Sequence, residues 1–80
     1  MSRVYAYSWR CVYKHYGNGF LVKVRMSETG VVKLEFFETG DFLDSYTTDN
    51  LDLMRTWLMY RIPETDCETI LNKIKSNDPW

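Results

Sequence analysis

The first 27 residues of this 80-residue chain contain no aspartate and no glutamate. All eleven acids lie in the remainder of the chain, together with half of the ten bases. The formal net charge of −1 therefore hides a division of charge by position. The acid-free stretch contains Arg3, Arg10, Lys14, Lys23 and Arg25 and is also rich in aromatic residues. This combination predicts a binding surface.

Long apolar runs are missing as well. No stretch approaches the roughly 18 apolar residues that a membrane span needs, and the start Met-Ser-Arg-Val-Tyr-Ala-Tyr lacks the apolar core of a secretory signal. We therefore expect a cytoplasmic protein with no membrane partner. The two cysteines, Cys11 and Cys67, are too few for a disulfide framework and are not spaced as metal ligands, so we expect two reduced, buried thiols.

The residues that carry chemistry are sparse. The single histidine, His15, lies four residues from Cys11 on a predicted strand, which separates them by about 13 Å at the usual rise per residue and excludes a direct dyad. Gly17 and Gly19 are not followed by a helix, so they do not form a phosphate loop. The acid pairs near the predicted helix starts are typical of first-turn acids that favour the helix dipole. We expect no enzyme, no cofactor and no metal site.

Alternation in period two predicts a strand over residues 3–16, and the Asn18-Gly19 dipeptide predicts a hairpin turn into a second strand over 20–26. A two-residue turn pairs Tyr16 with Leu21 and Cys11 with Met26. A three-residue turn would mix apolar and charged side chains on both faces, so the two-residue turn is favoured.

The loop Glu28-Thr29-Gly30, with Gly30 in the left-handed conformation, predicts a second hairpin and a third strand over 31–38. This register pairs Arg25 with Lys33. Residues 42–47 form either a short fourth strand or an ordered loop.

Two helices are predicted after the strands, over residues 49–61 and 65–76. Thr48 and Asp49 are N-cap residue types for the first, and Thr65 with Glu68 predicts a capping box for the second. Apolar stripes follow at helical spacing, formed by Leu51, Met54 and Leu58, with Leu53, Trp57 and Tyr60 beside them, and by Cys67, Ile70, Leu71 and Ile74. The predicted fold is a single α+β domain over 1–80: an antiparallel three- to four-stranded meander followed by two C-terminal α-helices packed on one face of the sheet.

These registers give the two faces of the sheet different chemistry. The predicted core face holds Tyr5, Tyr7, Trp9, Cys11, Tyr13, Val22, Val24 and Met26. The opposite face is basic, with Val12 and Leu21 as further apolar members, and like charges face each other across its strands at an unfavourable cost of about 0.2–1 kcal/mol a pair. Folding alone does not favour such a face. The predicted partner-binding residues are Arg10, Lys14, Tyr16, Lys23, Arg25, Lys33 and Phe37.

The layout resembles small phage anti-CRISPR proteins, in particular a type I-F inhibitor of similar length with an antiparallel sheet and two following helices. The resemblance runs from Tyr46-Thr47-Thr48 through Leu51, Trp57, Leu58 and Pro63 to the last helix. It is one of architecture, so no contact residue is carried over. It implies a non-enzymatic inhibitor that binds a Cas effector complex and blocks target DNA recognition.

Three hypotheses follow from the sequence. The first is a phage-encoded, protein-binding inhibitor that acts in a bacterial host cell and uses the basic sheet face, the acidic helical side, or both. The second is a small single-stranded nucleic-acid-binding module that uses the basic N-terminal hairpin. The third is that the acidic half of the chain mimics nucleic acid, although it contains few acids for that role. The sequence leaves the oligomeric state open.

Overall fold

The structure, a computed structural model, describes residues 9–76. These residues form a four-stranded antiparallel sheet, with neighbouring strands in chain order, followed by two helices, so the predicted α+β meander with two C-terminal helices is confirmed. Residues 42–47 belong to a fourth strand. The first strand begins at Arg10, so Trp9 precedes it, and the predicted start of this strand over residues 3–8 lies outside the described residues. The elements are β1 Arg10–Tyr16, β2 Phe20–Met26, β3 Val32–Glu38, β4 Asp41–Thr48, α1 Leu51–Met59 and α2 Glu64–Ser76.

Two of the hairpin turns lie side by side at one end of the sheet. The β1–β2 turn contains Gly19 with φ +85°, and the β3–β4 turn contains Thr39 and Gly40, with φ +49° and +90°. Two consecutive left-handed residues fit the twist of a two-residue hairpin. The Thr39 N–H donates to the Gly19 carbonyl at 3.3 Å, which ties the two turns together. At the other end, Gly30 has the predicted left-handed conformation, with φ +88°.

The predicted β1–β2 register is confirmed near the turn and wrong further along the strand. Tyr16 pairs with Leu21 and Lys14 with Lys23, as the two-residue turn requires, but the register shifts between Cys11 and Tyr13. Val12 is the extra residue of this bulge and packs against the core. One added residue reverses the alternation of every residue before it.

Both helices cover the same face of the sheet. Val22, Val24 and Leu34 are fully buried there, and the predicted helical stripe from Cys67 to Ile74 is buried against them. The apolar stripe of α1 is only partly buried: Met54 and Leu58 are in the core, Trp57 packs against it, and Leu51, Leu53 and Tyr60 are exposed. Part of the apolar stripe predicted for this helix therefore remains in contact with solvent. Within the described residues, no helix is long and apolar enough to cross a membrane.

The predicted helix caps are wrong in detail. Helix α1 is capped by Asn50, whose side-chain oxygen accepts from the N–H groups of Asp52 and Leu53 at 2.8 and 3.1 Å. This oxygen satisfies two otherwise unpaired donors, so the helix starts two residues later than predicted. Helix α2 begins at Glu64, which puts Thr65 inside its first turn. Glu68 pairs with Arg55 of α1 and not in a capping box.

Polar contacts among the described residues attach the helices to the sheet. His15 Nε2 donates to Asp66 of α2 at 2.7 Å, and His15 Nδ1 lies 3.1 Å from the Tyr13 hydroxyl. Arg61, just after α1, donates to Asp44 of β4 at 2.7 Å. These links join each edge strand of the sheet to the helix that covers it. Neither helix packs on the opposite face of the sheet.

Candidate functional site

The sheet face that points away from the helices is called here the outer sheet face. Cross-strand partners share a face, so the register arranges its residues in three rows perpendicular to the strands. The row nearest the paired turns is apolar, and the two rows beyond it are mainly charged. In order from the turns, the rows are Tyr16, Leu21, Phe37 and Phe42; Lys14, Lys23, Glu35 and Ser45; and Cys11, Arg25, Lys33 and Thr47.

The two ends of the apolar row are exposed to solvent, and Leu21 and Phe37 between them are half-buried. Tyr16 is 71% exposed and Phe42 is 54% exposed. The Phe37 and Phe42 rings meet edge to face with centroids 5.6 Å apart, a favourable arrangement for aromatic pairs. Single exposed apolar side chains are common on protein surfaces, whereas this row crosses four strands, which makes it a candidate contact surface.

The charged rows place like charges on neighbouring strands. Lys14 pairs with Lys23, and Arg25 pairs with Lys33. The one carboxylate in the rows, Glu35, accepts from Arg25 Nε at 2.8 Å and lies 4.0 Å from Lys33 Nζ. This hydrogen bond raises the pKa of Arg25. Within residues 9–76, no carboxylate forms an ion pair with Lys14 or Lys23, so the positive charge is concentrated beside the apolar row.

Lys23 occupies the boundary between the apolar and charged rows. Its ammonium nitrogen lies 4.8 Å from the centroid of the Phe37 ring, within the range of a cation–π contact. Lys23 is half-buried, so its alkyl stem covers apolar surface while its charge stays accessible. Lys23 therefore contacts an aromatic ring of the apolar row and also contributes to the positive charge beside that row.

The bulge in β1 changes the predicted membership of this face. Six of the seven predicted binding residues lie on it, but Arg10 pairs with the buried Met26 and so lies on the other side of the strand. Cys11, predicted to be buried, is exposed and pairs with Arg25. Trp9, predicted on the core face, has its ring 5.9 Å from Lys33 Nζ. Tyr5 and Tyr7 lie outside the described residues.

Sequence reasoning missed Phe42 as a member of the outer sheet face. A signal for it was present: a two-residue Thr39-Gly40 turn pairs Glu38 with Asp41 and therefore Phe37 with Phe42. Beyond that pair, the register shifts between Phe36 and Phe37, which alternation along β4 cannot reveal.

The helical side offers a second, smaller surface. Leu53, Met59 and Tyr60 are exposed on or just after α1, and Met59 and Tyr60 border a concavity of about 300 Å³. The Arg55–Glu68 ion pair lies next to it and lowers the pKa of Glu68. The acids of this side are thus partly neutralised by neighbouring bases.

Cys11 and His15 do not come together as a catalytic pair among the described residues. Cys11 shares a face with Arg25, whereas His15 pairs with the buried Val22, so the two lie on opposite faces of the sheet. Burial raises the pKa of the Cys67 thiol, which makes it a poor nucleophile. In residues 9–76, no three His, Cys, Asp or Glu side chains are grouped so that they could hold a metal ion.

Comparison of the chain with protein-family models, with curated proteins and with solved structures gave no match.

Proposed function

We propose that this chain is a non-enzymatic binding module that docks an acidic surface of a partner protein onto its outer sheet face. The observation that carries the proposal is the juxtaposition of Lys14 and Lys23, without a carboxylate partner among the described residues, and the exposed apolar row that begins at Tyr16. Like charges on neighbouring strands oppose folding, and a partner with acidic groups removes that repulsion.

The composition of the face suits a protein partner. Protein interfaces combine aromatic and aliphatic contact area at the centre with charged groups at the rim. Here the apolar row supplies the contact area, and Lys14, Lys23 and Lys33 supply charge. Arg25 is already bonded to Glu35, so its fork is less free for phosphate binding.

The resemblance to small phage anti-CRISPR proteins suggests the kind of partner. On this proposal the chain binds a subunit of a Cas effector complex in the cytoplasm of a bacterial host and blocks target DNA recognition without consuming a substrate. An inhibitor of this kind acts stoichiometrically, and the concentration needed for inhibition depends on the affinity of the outer sheet face for the effector complex.

The test uses a purified type I-F effector complex. The full chain is mixed with the complex, co-migration is measured by size-exclusion chromatography, and binding of target DNA is measured in parallel. We expect the wild-type chain to co-migrate and to reduce DNA binding. The double variant Lys14→Glu plus Lys23→Glu should lose both effects, because like charges would then face the acidic partner surface.

The matched controls are the single reversals Lys23→Glu and Lys75→Glu. Both change the net charge equally, but Lys75 is exposed on α2, away from the outer sheet face. Lys23→Glu should weaken co-migration, and Lys75→Glu should leave it unchanged. If the folded double variant binds and inhibits as well as the wild type, the outer sheet face is not the docking surface.

A second candidate function is binding of single-stranded nucleic acid. It is favoured by Tyr16, Phe37 and Phe42, which lie beside Lys23 on the sheet face that neither helix covers and resemble a platform for base stacking. Fluorescence anisotropy with a labelled thymidine oligonucleotide, measured over a range of salt concentrations, separates the two functions. Phosphate binding weakens linearly on logarithmic axes as salt increases, whereas the protein complex should lose less affinity.

A further inference from the structure

A concavity of about 450 Å³ lies where the outer sheet face meets the two tied turns. Its walls are mostly apolar, and it is open to solvent. The Thr39–Gly19 hydrogen bond holds the two turns that border it side by side. The concavity is lined by Tyr16, Gly17, Gly19, Phe20, Leu21, Lys23, Phe37, Thr39 and Gly40.

Three glycines contribute to the lining of this concavity. A Cβ on Gly17 would overlap the Phe20 ring, so only glycine fits there without displacing that ring. Gly19 and Gly40 both have positive φ and have no side chains that would project from the turns. Backbone thus forms one side of the concavity, and the rings of Tyr16 and Phe37 belong to the apolar row beside it.

The polar groups around the concavity favour a single carboxylate over a phosphate. Lys23 contributes one ammonium group and has no ion pair within residues 9–76. The Gly17 N–H donates to the Phe20 carbonyl at 2.9 Å, and the Thr39 N–H is bonded to Gly19. Phosphate sites in loops use several free backbone N–H groups, and these two are occupied.

We infer that this concavity is the anchor site of the outer sheet face and takes an aromatic or aliphatic side chain of an acidic protein segment, whose adjacent carboxylate pairs with Lys23. The inference rests on the proposed function and names the chemistry of the partner. Interfaces gain most of their affinity from a few apolar anchors in such depressions, with charged pairs at the border. Lys14 and Lys33 supply longer-range attraction to the same segment.

The probe is an acetylated and amidated peptide of sequence Glu-Asp-Phe-Glu-Glu, titrated into the ¹⁵N-labelled full chain and followed by NMR. We expect saturable shifts at the amides of Tyr16, Leu21 and Phe37. Replacing the Phe of the peptide by Ala should weaken binding about tenfold, the usual loss for an apolar side chain that leaves a buried site. Replacing its acids by Gln and Asn should weaken binding by a similar factor, because the peptide carries several charges.

The matched variants are Lys23→Gln and Lys33→Gln, which remove one charge each from the same face. Lys33 lies two rows away from the concavity. Lys23→Gln should weaken peptide binding about fivefold, the upper range for an exposed ion pair, and Lys33→Gln less than twofold. Circular dichroism checks that both variants fold.

Three results would overturn the inference: equal losses for the two variants, equal binding of the Phe and Ala peptides, or no peptide binding at all. If one of these occurs while Lys14→Glu plus Lys23→Glu still abolishes binding to the effector complex, the docking face stands and only the anchor site is wrong. If a ten-thymidine oligonucleotide shifts the same amides and the peptide does not, the ligand class is wrong as well.

Discussion

The two faces of the sheet come from the same strands, yet they differ in nearly every physical respect. Three valines and Leu34 of β2 and β3 are fully buried on the face that the helices cover. On the outer sheet face the intervening residues are two lysines, one arginine, one glutamate and the half-buried Leu21 and Phe37. The covered face accounts for the stability of the fold. The outer sheet face includes like-charge pairs that oppose folding, which is why we propose it as the docking surface.

The largest expected contrast between the faces is in the loss of a leucine side chain. Leu34 is 0% exposed in the core, whereas Leu21 lies half-buried on the outer sheet face. Leu34→Ala should lower the free energy of unfolding by about 2–5 kcal/mol because it leaves a cavity. Leu21→Ala should cost less than about 1 kcal/mol. Urea unfolding measures both, and similar losses would mean that the outer sheet face is also covered.

The neighbours His15 and Tyr16 provide a second contrast. The His15 side chain is 12% exposed and bridges Tyr13 and Asp66, whereas Tyr16 is 71% exposed. His15→Ala should lower the free energy of unfolding by about 1–3 kcal/mol, since it leaves partly buried polar groups unpaired. Tyr16→Ala should change it by no more than about 0.5 kcal/mol. Thermal and urea unfolding measure the loss of stability in both variants. A larger loss for Tyr16→Ala than for His15→Ala would contradict this contrast.

A charge reversal on the outer sheet face should separate stability from binding. Lys14 pairs with Lys23, so Lys14→Glu replaces a repulsive pair with an attractive one and should raise the free energy of unfolding by up to about 1 kcal/mol. The neutral variant Lys14→Gln should raise it less, and added salt should reduce both effects. The same reversal should weaken partner binding. A loss of stability in Lys14→Glu would show that the lysine pair is not a source of strain.

The smallest expected effect concerns the polar link at the edge of the covered face. The Arg61 guanidinium lowers the pKa of Asp44 below its ordinary value of 3.8, so the link favours the folded state fully above that value. Its contribution is lost as the pH falls through the lowered pKa. We expect Arg61→Gln to be less stable than the wild type at about pH 5 and the difference to shrink toward about pH 2. Unfolding curves at several pH values measure the difference in free energy of unfolding between Arg61→Gln and the wild type. A difference that does not change with pH would show that the Asp44–Arg61 link is not its cause.

The local signals of the sequence predicted most of the architecture. The Asn18-Gly19 turn and Gly30 set the registers that place Lys14 beside Lys23 and Arg25 beside Lys33. The stripe from Cys67 to Ile74 predicted the buried side of α2. These succeeded because turn chemistry and hydrophobic periodicity act over a few residues.

The errors share a different origin. Alternation cannot show where a strand gains a residue, so the bulge at Val12 reversed the predicted sides of Trp9, Arg10 and Cys11. The predicted N-caps failed for a similar reason, because several capping residues stand in a row and only the observed backbone selects Asn50. Phe42 was missed because its side of β4 depends on the register that the preceding turn imposes, which periodicity along the strand does not contain.

By itself, the sequence determined the α+β class, the hairpin turns and the separation of charge between the two parts of the chain. Only the tertiary structure decided which side chains form the outer sheet face and which apolar residues of α1 stay exposed. The reason is that turns and periodicity are local properties, whereas the bulge at Val12, which packs against the core, depends on how β1 meets the rest of the fold.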